Sequence, residues 1–299
     1  MKNKFTKYID ILQQQISNQI ENIDGKSKFK IDNWNRKNGG GGLTMAIENG
    51  NVFEKGGVNV SKVFGTLPDS MTKLLDTNKS DFFACGISLV LHPKNPMVPT
   101  FHANLRYFEL YENNQLKDSW FGGGLDLTPY YIFEDDIIFF HNNCKIICDK
   151  FNSNFYHDFK EKCDSYFWND HRNEARGVGG LFFDYCRAKD EVKIDNWFSF
   201  VSELGNNLMN VYCPIVKKRK DMSYNNDNIN WQQIRRGRYV EFNLIHDKGT
   251  LFGLKTKGRI ESILISMPPK AQWSYDLSPK KGSEEEKLLE ILKKPVNWI

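Results

Sequence analysis

Three polar residues spaced two apart, His102, Asn104 and Arg106 in FHANLRYFE at 101–109, are the densest chemistry in this chain. In an extended strand alternate side chains share a side, so this spacing sets an imidazole, an amide and a guanidinium on one face. Further on, SWFGGGLDLTPYY at 119–131 places Asp126 just after three glycines, Gly122 to Gly124, in an otherwise apolar and aromatic run. Together these groups supply a proton donor, a carboxylate clamp and an anion, while the glycines let a flat ligand approach the backbone. The same glycines also suit a bulged or kinked strand, and both readings stand at this point.

Ser88 and His92 share a face of the strand expected before His102, and adjacent pairing of the two strands gathers five polar groups. Arginines recur in unusual surroundings: Arg106 in an apolar strand, Arg176 beside a glycine, Arg235, Arg236 and Arg238 in one run, and Arg259 in KTKGRIES. Any one of them alone reads as a surface cation. As a set they suit a flat or aromatic ligand bearing several carboxylates, because a guanidinium binds a carboxylate through two parallel bonds.

Other chemistries fail on spacing. Gly39 to Gly42 are followed by Leu43-Thr44 where a phosphate loop needs Lys-Ser/Thr, and Gly177, Gly179 and Gly180 do not fit a dinucleotide fingerprint. The six histidines show no tight ligand spacing. Six scattered cysteines include no C-x-x-C pair and read as reduced, buried thiols; Cys144 and Cys148 would need a third cysteine at 151 for a radical iron-sulfur motif, and that residue is Phe151. A net charge of +4 is too small to argue for nucleic acid.

The elements that must hold these groups follow from periodicity. Phe5, Ile9, Leu12, Ile16, Ile20 and Ile23 predict an amphipathic helix at the N-terminus, not a signal peptide, and no apolar run approaches membrane-spanning length. A cytoplasmic location is expected. Period-two runs predict strands around 29–31, 43–47 and 58–64, then 83–92, 100–112 and the triple-glycine run, with Asn49-Gly50 as a hairpin turn. Residues 134–168 read as one broken helix or two, 195–216 as a helix, and RGVGGLFFDYC at 176–186 as a glycine turn entering a strand. A late hairpin is expected from RYVEFNLIH and TLFGL, turned at Asp247-Lys248-Gly249, before a closing helix in EEEKLLEILKK. NGGGG at 38–42 reads as a loop and KKRKD at 217–221 as a solvated helix end. Strand runs outnumber strand-helix-strand alternations, so the fold class is α+β: one domain over 1–299, a large, mainly antiparallel sheet with helices on both faces.

HANLRYFE, WFGGGLDLTP, RGVGGLFFD and RGRYVEFNLIHDKGTLFGLKTKGRIESILISMPP, in that order, resemble the motif set of the oxygen-dependent coproporphyrinogen III oxidase family, over Trp34 to Trp273. The resemblance implies conversion of two propionates of coproporphyrinogen III to vinyl groups, giving protoporphyrinogen IX, with loss of carbon dioxide and molecular oxygen as electron acceptor. It implies no organic cofactor, no nucleic acid and no membrane span, and a homodimer whose contact includes 239–274. His102 matches the family's proton donor; Ser88, Asn104, Leu105, Arg106, Lys257, Gly258 and Arg259 match substrate contacts; Asp126 and Arg176 match an acid and an arginine thought to hold the macrocycle. His92, His102, His141 and His171 match histidines assigned as ligands of a divalent metal. The family's Gly-Gly-Arg loop stands here as Lys257-Gly258-Arg259, and Tyr185 replaces the acidic residue usual after Phe182-Phe183-Asp184. On this reading Asp126 accepts hydrogen bonds from pyrrole N–H groups, the arginines orient propionates and His102 moves protons. Two rivals remain: a non-catalytic tetrapyrrole carrier, which needs an axial histidine but no arginines around a buried acid, and the radical enzyme of the same conversion, whose cysteine motif is absent.

Overall fold

A computed structural model describes residues 1–37, 39–67, 72, 77, 80–189, 192–255 and 258–299. Its centre is a seven-stranded antiparallel sheet of β1 (Lys30–Asn35), β2 (Gly40–Glu48), β3 (Phe53–Thr66), β4 (Asp81–Pro93), β5 (Thr100–Glu112), β6 (Gln115–Thr128) and β9 (Gly180–Arg187), in that spatial order. β7 (Trp168–Asn169) and β8 (Glu174–Ala175) form a small separate hairpin. The first six strands are consecutive in sequence and each pairs with the next; between β2 and β3, Asn49 takes the left-handed conformation the Asn-Gly turn requires, with φ 57°. The α+β class, with helices on both sides of the sheet, is as the periodicity predicts.

Strict alternation gives the sheet two unlike faces. One carries Met45, Ile47, Val58, Val60, Ile87, Leu89, Leu105, Leu125 and Leu181, all buried in the main core. Helices α1 (Lys2–Asp24), α2 (Glu134–Asp149) and α4 (Ile194–Arg219) cover it. In α1 the buried apolar residues are Phe5, Ile9, Leu12, Ile16 and Ile20, the spacing of one helical stripe, and each such side chain contributes about 1.5–3 kcal/mol by leaving water. α3 (Phe155–Tyr166) runs past the β9 edge: Phe159 meets Phe183 in the core, while Tyr166 at its end stacks on Phe182 of the opposite face, 4.1 Å between ring centres.

The second face bears the chemistry. Pairing aligns three adjoining rows across it: Ala46, Gly57, Val90, His102, Asp126 and Gly180; then Asp32, Thr44, Asn59, Ser88, Asn104, Gly124 and Phe182; then Trp34, Gly42, Ser61, Gly86, Arg106 and Gly122. Nine of these nineteen residues are glycine, serine or alanine, which leaves a low floor between the larger side chains. α5 (Asn226–Ile245), α6 (Lys248–Lys255) and α7 (Ile260–Leu264) lie on this side with the end of α3. Ser262 and Ser266 at and after α7 bond to Thr44, Asn59 and His92, seating that segment on β2, β3 and β4.

Two expectations are corrected. Residues 239–253 form no hairpin: they are the end of α5 and most of α6. The buried positions of α5 are Trp231, Gln232, Ile234, Arg235, Arg236, Gly237, Tyr239, Phe242 and Asn243, a helical stripe whose polar members hide it from an apolar count. Arg236 is bound to Glu54 and to the Pro93 carbonyl, and Gln232 to the same carbonyl. Asn225 and Asn228 cap the helix reciprocally, and Asp247, read as a turn residue, accepts the Thr250 N–H at the start of α6. The glycine run is likewise not all loop, since Gly40 to Gly42 open β2; a methyl at Gly42 would meet the Trp34 ring at 2.4 Å, so the indole needs a bare strand beneath it. At the 217–221 helix end, Arg219 is drawn in against Asp135 and Asp136.

Candidate active site

His102, Asn104 and Arg106 do share the floor face, each partly exposed between buried neighbours. β6 brings Asp126 opposite His102, and the carboxylate accepts the ring Nδ1–H at 2.8 Å through Oδ1. The same Oδ1 accepts a bond from Arg176 at 2.7 Å. Arg176 reaches it because the β7–β8 hairpin returns the chain beside Phe167, whose carbonyl takes the Arg176 N–H, and Gly179 with φ 84° then turns it into β9. The guanidinium is buried, stacked on Phe167 at 3.9 Å with Tyr239 and Phe242 around it, and donates also to Asn243 Oδ1 at 2.9 Å.

Burial alone would raise the Asp126 carboxyl, but the charge of Arg176, with the bond and charge of His102, outweighs it and holds the group below the usual carboxylate range. Asp126 is therefore an anion at neutral pH. Both its bonds fall on Oδ1, leaving Oδ2 without a bond among the described residues. With Nδ1 committed to Asp126, His102 has only Nε2 to offer a ligand, on a side chain 21% exposed.

Along the floor Ser88 stands directly opposite Asn104, and both are half-buried. Arg106 donates to Asn104 Oδ1 at 3.3 Å and pairs with Asp184 of β9 at 2.7 Å, a partner the sequence reading left without a role. Leu105 is fully buried on the core face, so only its main chain borders the floor. At the far end of the same face Arg259, the residue before α7, pairs with Asp32 on β1. β1 and β5 are four strand spacings, about 19 Å, apart, and Arg259 and Arg106 stand over those two strands. Gly258 donates its N–H to the Gly253 carbonyl, and Lys257 lies outside the described residues. A cleft of about 550 Å³ adjoins the floor at Phe182, with Tyr166, Trp168, Lys162, His246 and Lys248 among its walls.

The four histidines implied as metal ligands are not brought together. Buried His92 bonds Thr100 and the Ser266 carbonyl; buried His141 bonds Tyr156 and the Val178 carbonyl; both ring nitrogens of each are occupied. Burial pushes the His141 imidazolium down to about 4, and His92 also lies well below its ordinary value. His171 bonds Glu241 and His246 at the surface. Among the described residues no three His, Cys, Asp or Glu side chains form a metal-holding group, so the implied set does not fit one shared ion within the chain.

The glycines differ in what they protect. A methyl at Gly122 would lie 2.5 Å from Asp184 Oδ1 and 2.8 Å from Arg106 Nε, whereas one at Gly124 would lie 2.4 Å from the Leu181 carbonyl. Gly122→Ala is expected to push the arginine aside and reduce turnover while the protein melts near the wild-type temperature; Gly124→Ala should force β6 from β9 and lose about 1–3 kcal/mol of stability. Paired activity and thermal-melt measurements check the contrast, and equal melting losses would contradict it.

A bare sheet face flanked by arginines, with a buried carboxylate ordering a half-exposed imidazole, is the build of an enzyme that holds a flat polyanion and moves protons on it. Residues 4–298 match the family model described as coproporphyrinogen III oxidase. The chain is 48% identical over 310 residues to coproporphyrinogen-III oxidase 1, chloroplastic, of Arabidopsis thaliana, covering all of this chain and 80% of that protein. It is 48% identical over 305 residues to the oxygen-dependent coproporphyrinogen-III oxidase of Francisella philomiragia, covering 99% of this chain and 98% of that protein. The Drosophila melanogaster protein of the same name is 47% identical over 281 residues, or 91% of this chain and 71% of that protein. The chain belongs to this family of oxygen-dependent oxidases.

Proposed function

We propose that the chain, as one domain over 1–299, converts two propionates of coproporphyrinogen III to vinyl groups, yielding protoporphyrinogen IX, on the floor between Arg106 and Arg259. The observation that carries this reading is the Arg176–Asp126–His102 chain at the edge of that floor: an ionised acid fixed on one oxygen, with one carboxylate oxygen and one imidazole nitrogen unspent. Asp126 Oδ2 accepts a pyrrole N–H and His102 Nε2 takes a proton from the substrate. Arg106 and Arg259 bind propionates and keep them ionised, as loss of carbon dioxide requires. Each conversion breaks the bond to the carboxylate carbon, releases one proton from the methylene attached to the ring and sends two electrons to oxygen. No step is routed through a metal or an organic cofactor.

A carrier needs an axial histidine but no arginine held against a buried acid; here Arg176 is buried on the same carboxylate oxygen of Asp126 that holds His102. We also propose a cytoplasmic homodimer joined through 239–274, supported by the large apolar side chains Leu244, Ile245, Ile260 and Trp273 that this segment exposes. Purified protein given coproporphyrinogen III should form protoporphyrinogen IX in air, stop under argon and ignore added S-adenosylmethionine. Undiminished anaerobic turnover, or none in air, defeats the reading.

A further inference from the structure

Arg106 does not hang free over the floor. Its guanidinium lies across Gly122, where an added methyl would come within 3.0 Å of both Nε and NH2, and it is held at two ends, by Asn104 and by Asp184. Asp184 is itself fixed: Oδ1 accepts the backbone N–H of Tyr185 at 2.9 Å while Oδ2 pairs with Arg106 at 2.7 Å. Tyr185 sits at φ 54°, where β9 slips register against β6, so the bulge aims the carboxylate. The arginine still shows 39% of its side chain to the groove.

This carboxylate competes in charge with any anionic ligand of Arg106, yet the backbone keeps it in place. We propose that Asp184 is a positioning residue, acting through Arg106: it holds the guanidinium flat over Gly122 so that one edge is presented, already oriented, to a substrate carboxylate. The proposal rests on the polycarboxylate reading of the floor. Simple Coulomb attraction and positioning then predict opposite results. Removing an anion beside the site should tighten binding of a polyanion if charge alone matters, and should weaken it if Asp184 orders the arginine.

The test is a double-variant cycle on the intact protein, read by equilibrium binding of coproporphyrin III from its absorbance shift and, in parallel, by kcat and KM for coproporphyrinogen III. Asp184→Ala should weaken binding and lower kcat/KM roughly fivefold or more in the wild-type background, but change either by less than about twofold in Arg106→Lys, which has no planar fork to hold. Tighter binding, no change, or an equal loss in both backgrounds overturns the proposal. If the alanine variant does not fold, Asp184→Asn keeps the acceptor for the Tyr185 N–H and removes the charge, with the same outcomes expected. Wild-type protein that neither binds nor turns over the tetrapyrrole would refute the reading of the floor and this proposal with it, whereas wild-type turnover with an indifferent Asp184 refutes the proposal alone.

Discussion

Replacing Arg176 by methionine is expected to cost the folded state about 3–5 kcal/mol and to abolish turnover, because it strands the Asp126 anion in the interior. The guanidinium is at least as buried as the carboxylate it neutralises, 2% exposed against 3%, and methionine fills the space between Phe167, Tyr239 and Phe242 without supplying a charge. The sign of the pH dependence follows from the wild-type pair. Asp126 titrates below its unfolded value, so its contribution to stability is fully present above the ordinary carboxylate range and is lost as pH falls through the depressed value. Without Arg176 the desolvated carboxyl is pushed up instead, so the variant's deficit should be largest at neutral pH and shrink in mild acid. Adding Asp126→Asn should recover most of the stability, since a neutral amide replaces the buried charge, but none of the turnover. Urea unfolding of both variants at neutral and mildly acid pH measures this. A single variant as stable as wild type at neutral pH would show that the pair is not the electrostatic keystone of the site.

That buried pair also marks the limit of what the sequence discloses. His102, Asn104 and Arg106 were legible because a strand converts a spacing of two into a shared face, and Ser88 followed from the neighbouring strand. Arg176 stood out as a cation beside glycine, but its distance from Asp126 depends on the β7–β8 hairpin, whose two-residue strands leave too short a period to read. RYVEFNLIH, which carries Tyr239 and Asn243 to the surroundings of Arg176, reads in sequence as one strand of a hairpin; the helix buries Arg235 and Arg236, charges whose partners Glu174 and Glu54 lie far away in sequence. Asp184 carried no signal beyond its motif, because its role arises from a register slip that places it over Gly122. The same limit applies to the histidines: His92 and His141, ligands only by family resemblance, have both nitrogens bonded in the core.

His102→Asn should lower kcat by about 10²- to 10⁴-fold with little change in melting temperature, the effect of losing one positioned proton-transfer group. Asparagine is the informative replacement. Its amide N–H can take the place of the imidazole Nδ1–H and keep Asp126 Oδ1 satisfied, so the bond to Asp126 survives while Nε2 disappears. The loss should fall on kcat more than on KM, because the carboxylates of the substrate are held by Arg106 and Arg259, which this change does not touch. Asp126→Asn attacks the same pair from the other side. It retains an acceptor for His102 but removes the anion beside the ring and leaves buried Arg176 without its partner charge, so it should lose both rate and stability. The two variants thus separate what the imidazole does from what the ion pair does. If His102→Asn turned over at close to the wild-type rate, Nε2 would not be the group that moves protons, and Asp126 Oδ2, the remaining unspent group of the chain, would have to act as the base.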